Sequence, residues 1–530
     1  MLAAALLHGV LSVFSLAPFG QFYLGWVAIL PVLWLSATAT TPLRAMGRGY
    51  LAGVFYFGGN LWYLWYIGFF PMLGSWLYLA LYPALFAIAW RPWSKRTPLV
   101  AGVTAAVLWV GCDWLRATVL TGLPYVFLGH GQLPLLPMVQ IADVFGTYGV
   151  TFWVVLIGAT IWATAVALPA RRLRAALPLA ALTAVTLIAT LAYGWVRLGH
   201  EPFHEGPTVL LVQPDVPLLN TVRTDDAALL VDLVTATSGA ISSDVDLAVW
   251  PESAVPSINR ETRDLGLGGA YGDTLRTAHA ALMTLSANGT DLIVGAGFRA
   301  GWTVNDDGTV TSGDRRNSAY LYRNGRQLDV RYDKTHLFPF GEYIPFLDAT
   351  PPLGWLGDFF NLFNPWGGDY SLTPGTTVPV FKIGNGPDAV RAVTPICFED
   401  IIPHRTREMV YGSGGEKRAD LIVNLTNDGW FRGNQMDQHL QAAAFRSIEN
   451  RVPTARSVNT GVSAVVDGDG RVVERLPAGE AGTLVADVPL DGRSSLYGRI
   501  GDAFAGVCAA ASGLLVVVAL GGRLKRRRTA

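Results

Sequence analysis

Seven apolar segments crowd into the first 200 residues of this chain and an eighth lies near its end. They run over residues 2–16, 22–37, 50–70, 76–89, 99–120, 148–168, 175–196 and 503–520. Most approach the ~20 residues that an α-helix needs to cross a hydrocarbon core. Composition points the same way. The chain is 51% hydrophobic and 15% charged, against roughly 25% charged in an ordinary soluble domain. The first segment lacks a basic lead-in and a small-residue cleavage site, so it reads as a span rather than a cleaved signal.

Loop charges give the expected orientation. Arg44 and Arg48 separate segments two and three, and Arg91, Lys95 and Arg96 separate four and five. Arg171, Arg172 and Arg174 separate six and seven, and Arg523, Lys525, Arg526, Arg527 and Arg528 follow the eighth. The intervening loops 71–75 and 121–146 contain no Lys or Arg. The positive-inside rule then predicts eight transmembrane helices with both termini cytoplasmic. Three regions follow: a seven-helix region over 1–197, an extracytoplasmic domain over 198–499, and a last helix with a basic tail over 500–530. A formal net charge of zero gives no reason to expect nucleic acid as a partner.

The extracytoplasmic region alternates strand-like and helix-like runs. Strands are predicted over 209–212, 247–250, 292–296, 319–322, 392–396 and 421–425, with helices over 274–287 and 438–450. This pattern is that of one α/β domain. The chain has three cysteines, Cys112, Cys397 and Cys508. Two lie in apolar stretches, so a disulfide framework is not supported, and Cys397 stands alone in the polar part.

Four short motifs in that domain carry chemistry. Val249-Trp250-Pro251-Glu252-Ser253 ends a strand on a carboxylate, where α/β folds gather reactive side chains; alone, Glu252 reads as a solvated turn residue. Lys334 precedes the apolar, Pro-containing stretch Leu337-Phe338-Pro339-Phe340-Gly341-Glu342, a setting that could serve a thiolate or an oxyanion; alone, it reads as a surface lysine. Thr394-Pro395-Ile396-Cys397-Phe398-Glu399-Asp400 delivers a thiol to a turn, and such a thiol needs a base or a cation to act as a nucleophile; alone, it reads as a buried structural cysteine. Asn424-Leu425-Thr426-Asn427-Asp428-Gly429 ends a strand among hydrogen-bonding turn formers.

Together these motifs resemble the nitrilase superfamily, whose catalytic Glu, Lys and Cys occur in that chain order. The helical segments around the domain, the stretch from Lys334 to Pro345 and the later Asn459-Thr460-Gly461 narrow the resemblance to the apolipoprotein N-acyltransferase family. The resemblance implies an α-β-β-α sandwich for the catalytic domain. It implies Glu252 as base, Lys334 as stabiliser of the tetrahedral intermediate and Cys397 as nucleophile, with Glu342, Phe398 and Glu399 supporting. It further implies transfer of an acyl chain from a phospholipid donor to the N-terminal amine of a diacylated apolipoprotein, at the bacterial inner membrane, with no cofactor. Two departures touch the lipid-facing parts. Pro124-Tyr125 stands where Pro-Trp is usual, and the residues after Gln213, Pro214-Asp215-Val216-Pro217, lack the aromatic and basic side chains expected there.

His200 and His204 share a helical spacing but lie in a linker, and His336, His404 and His439 are scattered, so no metal site is expected. The aromatic stretch 346–366, with Trp355, Phe359, Phe360 and Trp366, is too broken to span a bilayer. It suits a loop that dips into the outer leaflet and gates lipid access, or an ordinary buried loop. Two other functions stay open: a membrane-tethered amidase that uses water as acceptor, and a catalytically silent scaffold.

Overall fold

In the computed structural model the described residues are 1–199, 203–216, 226–304, 310–347, 354–362 and 370–528. His200, Pro217 and Trp366 of the sequence reading lie outside them.

Among the described residues, five helical stretches are long and apolar enough to cross a membrane: Phe69–Lys95, Pro98–Thr118, Ala142–Ala167, Leu173–Leu198 and Ala503–Gly521. This is fewer than the eight expected, for physical reasons. The first two segments form shorter apolar helices, Leu2–Ser15 and Phe22–Ala37. The third is displaced towards the N-terminus. Thr41 accepts a hydrogen bond from the Arg44 N–H and Pro42 occupies the first turn, so the helix begins at Pro42 and runs to Asn60. Arg44, Arg48 and several glycines keep that helix from being strongly apolar. The glycines serve contact instead: a Cβ on Gly49 would lie 2.5 Å from the Ala87 Cβ, and one on Gly53 2.8 Å from the Ala80 Cα. Missing side chains let the two helices approach closely, as small residues do in membrane bundles.

The sheet-rich part contains two six-stranded mixed sheets. The first runs, in spatial order, Gly482–Asp487, Thr208–Gln213, Leu247–Val255, Asp291–Val304, Val310–Arg323, Arg326–Asp333. The second runs Val472–Arg475, Ala464–Val466, Thr454–Val458, Leu421–Thr426, Val390–Val393, Phe381–Ile383. Period-two alternation gives each inner strand two buried faces. Val209, Leu211, Leu247, Val249 and Ile293 meet Leu421, Val423, Leu425 and Ala455 of the other sheet. The alternate residues Leu210, Val212, Ala248, Trp250 and Val294 meet Leu230, Leu233, Ala278 and Leu282 of the helices Asp226–Ala240 and Gly269–Leu285. Each buried aliphatic side chain stabilises this stack by about 1.5–3 kcal/mol.

Every residue of the helix Gln435–Asn450 except the half-buried Asp437 is buried. Met436, Leu440 and Ala444 pack on Val462, Ala464 and Val466 of the sheet part, while Phe445 and Ile448 pack on Val139, Ile141, Ala142 and Val150 of the helical part. Just beyond it, fully buried Arg451 donates to Asp143 (2.7 and 2.9 Å), Gln140 (2.7 Å) and Asp469 (2.8 Å). Arg197 lies 2.8 Å from Asp143 as well. The junction between the two parts is therefore both apolar and ionic.

Candidate active site

Three chain segments converge on one pocket of charge. Glu252 lies on the strand Leu247–Val255, whose pairing with Asp291–Val304 shifts register between Trp250 and Val255. Pro251 sits in that gap and offers no N–H, so the ladder lapses there. Gly295 permits the close approach, since a Cβ on it would lie 2.3 Å from the Pro251 carbonyl oxygen. Lys334 follows the strand Arg326–Asp333, with its N–H donating to the Asn317 carbonyl at 2.8 Å. Cys397 opens a 3-10 turn over Cys397–Ile401, just past the bridge between Ile396 and Leu425. Its φ of 50° is a left-handed conformation that costs a non-glycine residue about 1–2 kcal/mol.

The Lys334 ammonium is buried between two carboxylates. Its Nζ lies 2.9 and 2.8 Å from the two oxygens of Glu342 and 3.5 Å from Glu252 Oε1. Asn317 Nδ2 donates to both acids, at 2.6 Å to Glu252 and 3.1 Å to Glu342, and the Phe338 N–H donates to Glu342 Oε2 at 2.8 Å. The half-buried Cys397 side chain lies within electrostatic reach of Glu252 and Lys334. Burial raises the Glu252 carboxyl above its ordinary range, with Glu342 adding to the shift while Lys334, Asn317 and Cys397 oppose it. Burial also pushes the Cys397 thiol up, reinforced by Glu252 and opposed by Lys334. Burial opposes the Lys334 charge, but Glu342, Glu252 and Cys397 overcome it and hold the ammonium above its usual value. A resting thiol therefore faces a carboxylate of strengthened basicity, the match that general-base chemistry favours.

Glu399 does not join this pocket. Fully buried, its Oε1 accepts from the Tyr332 hydroxyl (2.7 Å), the Thr335 N–H and hydroxyl (2.9 Å each) and the His336 N–H (2.9 Å). Its Oε2 accepts from the Ile396 N–H at 2.9 Å. One carboxylate thus ties the loop after Lys334 to the turn that begins at Cys397. Glu399→Ala is expected to lower stability by at least about 3 kcal/mol, since several buried donors lose their acceptor together. Denaturant unfolding of the variant in detergent measures this loss, and a change under 1 kcal/mol would refute the bracing role. Phe398 stacks on His336 (centroids 5.9 Å apart) and meets Phe338 edge-on at 5.0 Å, within the hydrophobic cluster of the helical part.

The aromatic stretch is partly helical, not loop throughout. Gly354–Asn361 forms a helix that leaves Trp355 and Phe359 exposed, and Phe360 packs on Phe340 and Phe346. Residues that sequence reasoning missed are Asn317, Tyr332 and a buried set of Asp400, Asp428, His439 and Arg456. A polar Asn in an arginine-rich strand offers no signal by itself; its role appears only when two acids face it. Among the described residues no group of three His, Cys, Asp or Glu is placed to hold a metal ion.

Comparison with known proteins covers both parts of the chain. Residues 8–160 match the apolipoprotein N-acyltransferase N-terminal domain, and residues 209–496 match the carbon-nitrogen hydrolase family. The apolipoprotein N-acyltransferase of Geobacter metallireducens is 31% identical, over 98% of this chain and 95% of its own. That of Bradyrhizobium diazoefficiens is 33% identical, over 97% and 94% respectively. An amidase from Nesterenkonia sp. aligns with 57% of this chain and 93% of its own at 17% identity, with a TM-score of 0.36, too low to read a shared fold from it. With both family matches in place and relatives matching from end to end, this chain belongs to the apolipoprotein N-acyltransferase family, membrane enzymes of lipoprotein maturation with a nitrilase-type catalytic part.

Proposed function

We propose that Cys397 carries an acyl chain, as a thioester, from a membrane phospholipid to the free α-amine of a diacylglyceryl-cysteine at a lipoprotein N-terminus. The observation that carries this reading is the convergence of Glu252, Lys334 and Cys397 from three separate segments, with the lysine 3.5 Å from the base.

Glu252 takes the thiol proton as Cys397 sulfur attacks the ester carbonyl. Lys334 and backbone amides after Cys397 hold the developing oxyanion. Collapse breaks the ester C–O bond, the leaving lysophospholipid oxygen receives the proton from Glu252, and the thioester remains. The incoming amine then attacks that thioester and gives its proton to Glu252. Collapse breaks the C–S bond, forms the amide and returns the proton to sulfur. Two steps that share one covalent intermediate imply ping-pong kinetics. A thioester is already activated towards amines, so the sequence of steps is complete without nucleotide or metal.

The same reading assigns residues 1–197 and 500–530 to an eight-crossing bundle and residues 198–499 to the extracytoplasmic catalytic part. Leu2–Ser15, Phe22–Ala37 and Pro42–Asn60 complete the five longer crossings, and the basic loops keep both termini in the cytoplasm. Trp355, Phe359 and Phe360 form an aromatic lid that dips into the outer leaflet. Trp355→Ser is expected to slow turnover of vesicle-embedded phospholipid about tenfold, the kinetic equivalent of losing roughly 1.4 kcal/mol of membrane contact. Unchanged rates on vesicles remove the lid.

The deciding experiment incubates the purified protein with phospholipid, with and without a diacylated lipopeptide, and follows the mass of the peptide bearing Cys397. An acyl adduct that discharges onto the lipopeptide amine supports the transfer reading. Discharge to water alone supports the amidase reading, and absence of any adduct removes both.

A further inference from the structure

Behind the nucleophile turn lies a closed set of four charged side chains, none more than 3% exposed: Asp400, Asp428, His439 and Arg456. His439 Nε2 is 2.7 Å from Asp400 Oδ1, and its Nδ1 is 2.8 Å from Asp428 Oδ1. Arg456 completes the ring, pairing through Nη1 with Asp400 Oδ2 and through Nη2 with Asp428 Oδ2 at 3.1 Å. Each carboxylate thus takes one N–H from the histidine and one from the arginine. A neutral imidazole donates from one nitrogen only; two carboxylate partners require both nitrogens to carry protons. The quartet is neutral only in that state, with two positive and two negative charges.

Each member comes from a different element. Asp400 is in the turn Cys397–Ile401, Asp428 in the turn Asp428–Trp430, His439 on the helix Gln435–Asn450 and Arg456 on the strand Thr454–Val458. Gln435 Nε2 also donates to Asp428 Oδ1 at 3.0 Å, Arg456 Nη1 donates to Asn424 Oδ1 at 2.8 Å, and the Tyr125 ring meets His439 edge-on at 6.3 Å. The Cys397 thiol is influenced by Glu252, Lys334, Asp428 and Glu342. Three of those four are acids, so whether Asp428 is balanced bears directly on thiolate formation.

We propose that His439 is a positioning residue for the nucleophile: as an imidazolium it ties the Cys397–Ile401 turn to the Asp428 turn and cancels the charge of Asp428, so that the thiolate forms beside a neutral quartet. This rests on the reading of Cys397 as nucleophile. Ionisation in the quartet agrees. Burial and Arg456 oppose the His439 charge, yet Asp400 and Asp428 outweigh them and raise it to about 9. Burial likewise opposes the Asp428 charge, but His439 and Arg456 pull it down to about 2. The folded-state value of His439 is raised, so the balancing charge is present at neutral pH and is lost as pH rises through about 9.

The test measures the pH dependence of Cys397 alkylation by iodoacetamide in the full chain, held in phospholipid nanodiscs. Peptide mass separates Cys397 from Cys112 and Cys508. His439→Gln removes a positive charge and is expected to raise the apparent thiol pKa by on the order of one unit. Asp428→Asn removes a negative charge and is expected to lower it by a similar amount. The double variant should return to within a few tenths of the native value. A purely structural brace predicts no such opposition: shifts of the same sign, or none, overturn the proposal. If His439→Gln fails to fold, Asp428→Asn alone decides, because only a downward shift agrees. The profiles read the thiol itself, so they stand even if no acyl group ever reaches Cys397 from phospholipid, the result that would sink the transfer reading instead.

Discussion

Replacing Cys397 by serine is expected to reduce acyl transfer by on the order of 10⁴-fold or more and to leave no acyl adduct at position 397. The side chains are nearly the same size, and the turn that holds the residue is braced from outside by Glu399, so the fold should persist. What changes is acidity. Glu252 is a carboxylate, strengthened by burial, and it faces a thiol within reach of deprotonation; a serine hydroxyl is far beyond it without a stronger base. Single-turnover assays with phospholipid and lipopeptide, read together with intact mass, measure the loss. A serine variant that keeps more than a hundredth of native turnover would show that Cys397 is not the attacking atom.

Lys334→Met is expected to act on catalysis and stability together. The ammonium is 1% exposed and lies within 3.5 Å of both Glu342 and Glu252. Removing it leaves two buried acids facing one another across Asn317, a loss of about 3–5 kcal/mol when one member of a buried ionic set is deleted. In the proposed mechanism the oxyanion loses its nearest fixed positive charge as well, for an expected further reduction of roughly 10²–10³ in turnover. The two effects separate in the double variant Lys334→Met with Glu342→Gln. Deleting one acid should restore much of the unfolding free energy, whereas turnover should stay low. Recovery of turnover along with stability would mean that the lysine acts on folding alone.

Glu252, Lys334 and Cys397 were legible in the sequence because each closes or follows a strand within a distinctive local motif. Strand ends of an α/β fold are where such groups can meet. Glu399 was visible for the same reason, though its partners place it as a brace beside the pocket rather than within it. The quartet was not legible. Its members are ordinary residue types separated by up to 56 positions, and nothing local marks Arg456 or His439 as partners of Asp400. Burial alone brings them together, and burial of polar residues is a tertiary property. The long apolar helices number fewer than the eight expected crossings for a related reason. Hydropathy measures affinity for lipid, whereas the helix Pro42–Asn60 uses glycines to fit against Leu81–Trp90. A segment can belong in a bundle by shape while being only weakly apolar.

The helix Gln435–Asn450 has no face of its own to show to solvent. One side completes the core of the sheet part, the other completes that of the membrane helices, and Arg451 at its end is neutralised from both. Neither half is therefore a finished protein without the other. Severing the chain near residue 198 would strip a buried helix of half its cover and leave Asp143 and Arg451 without each other. Unfolding that begins in either half must break the shared helix, so the two lose structure together rather than as independent units. The catalytic part is consequently not an excisable soluble enzyme on a membrane tether; the bilayer-embedded helices form part of its interior.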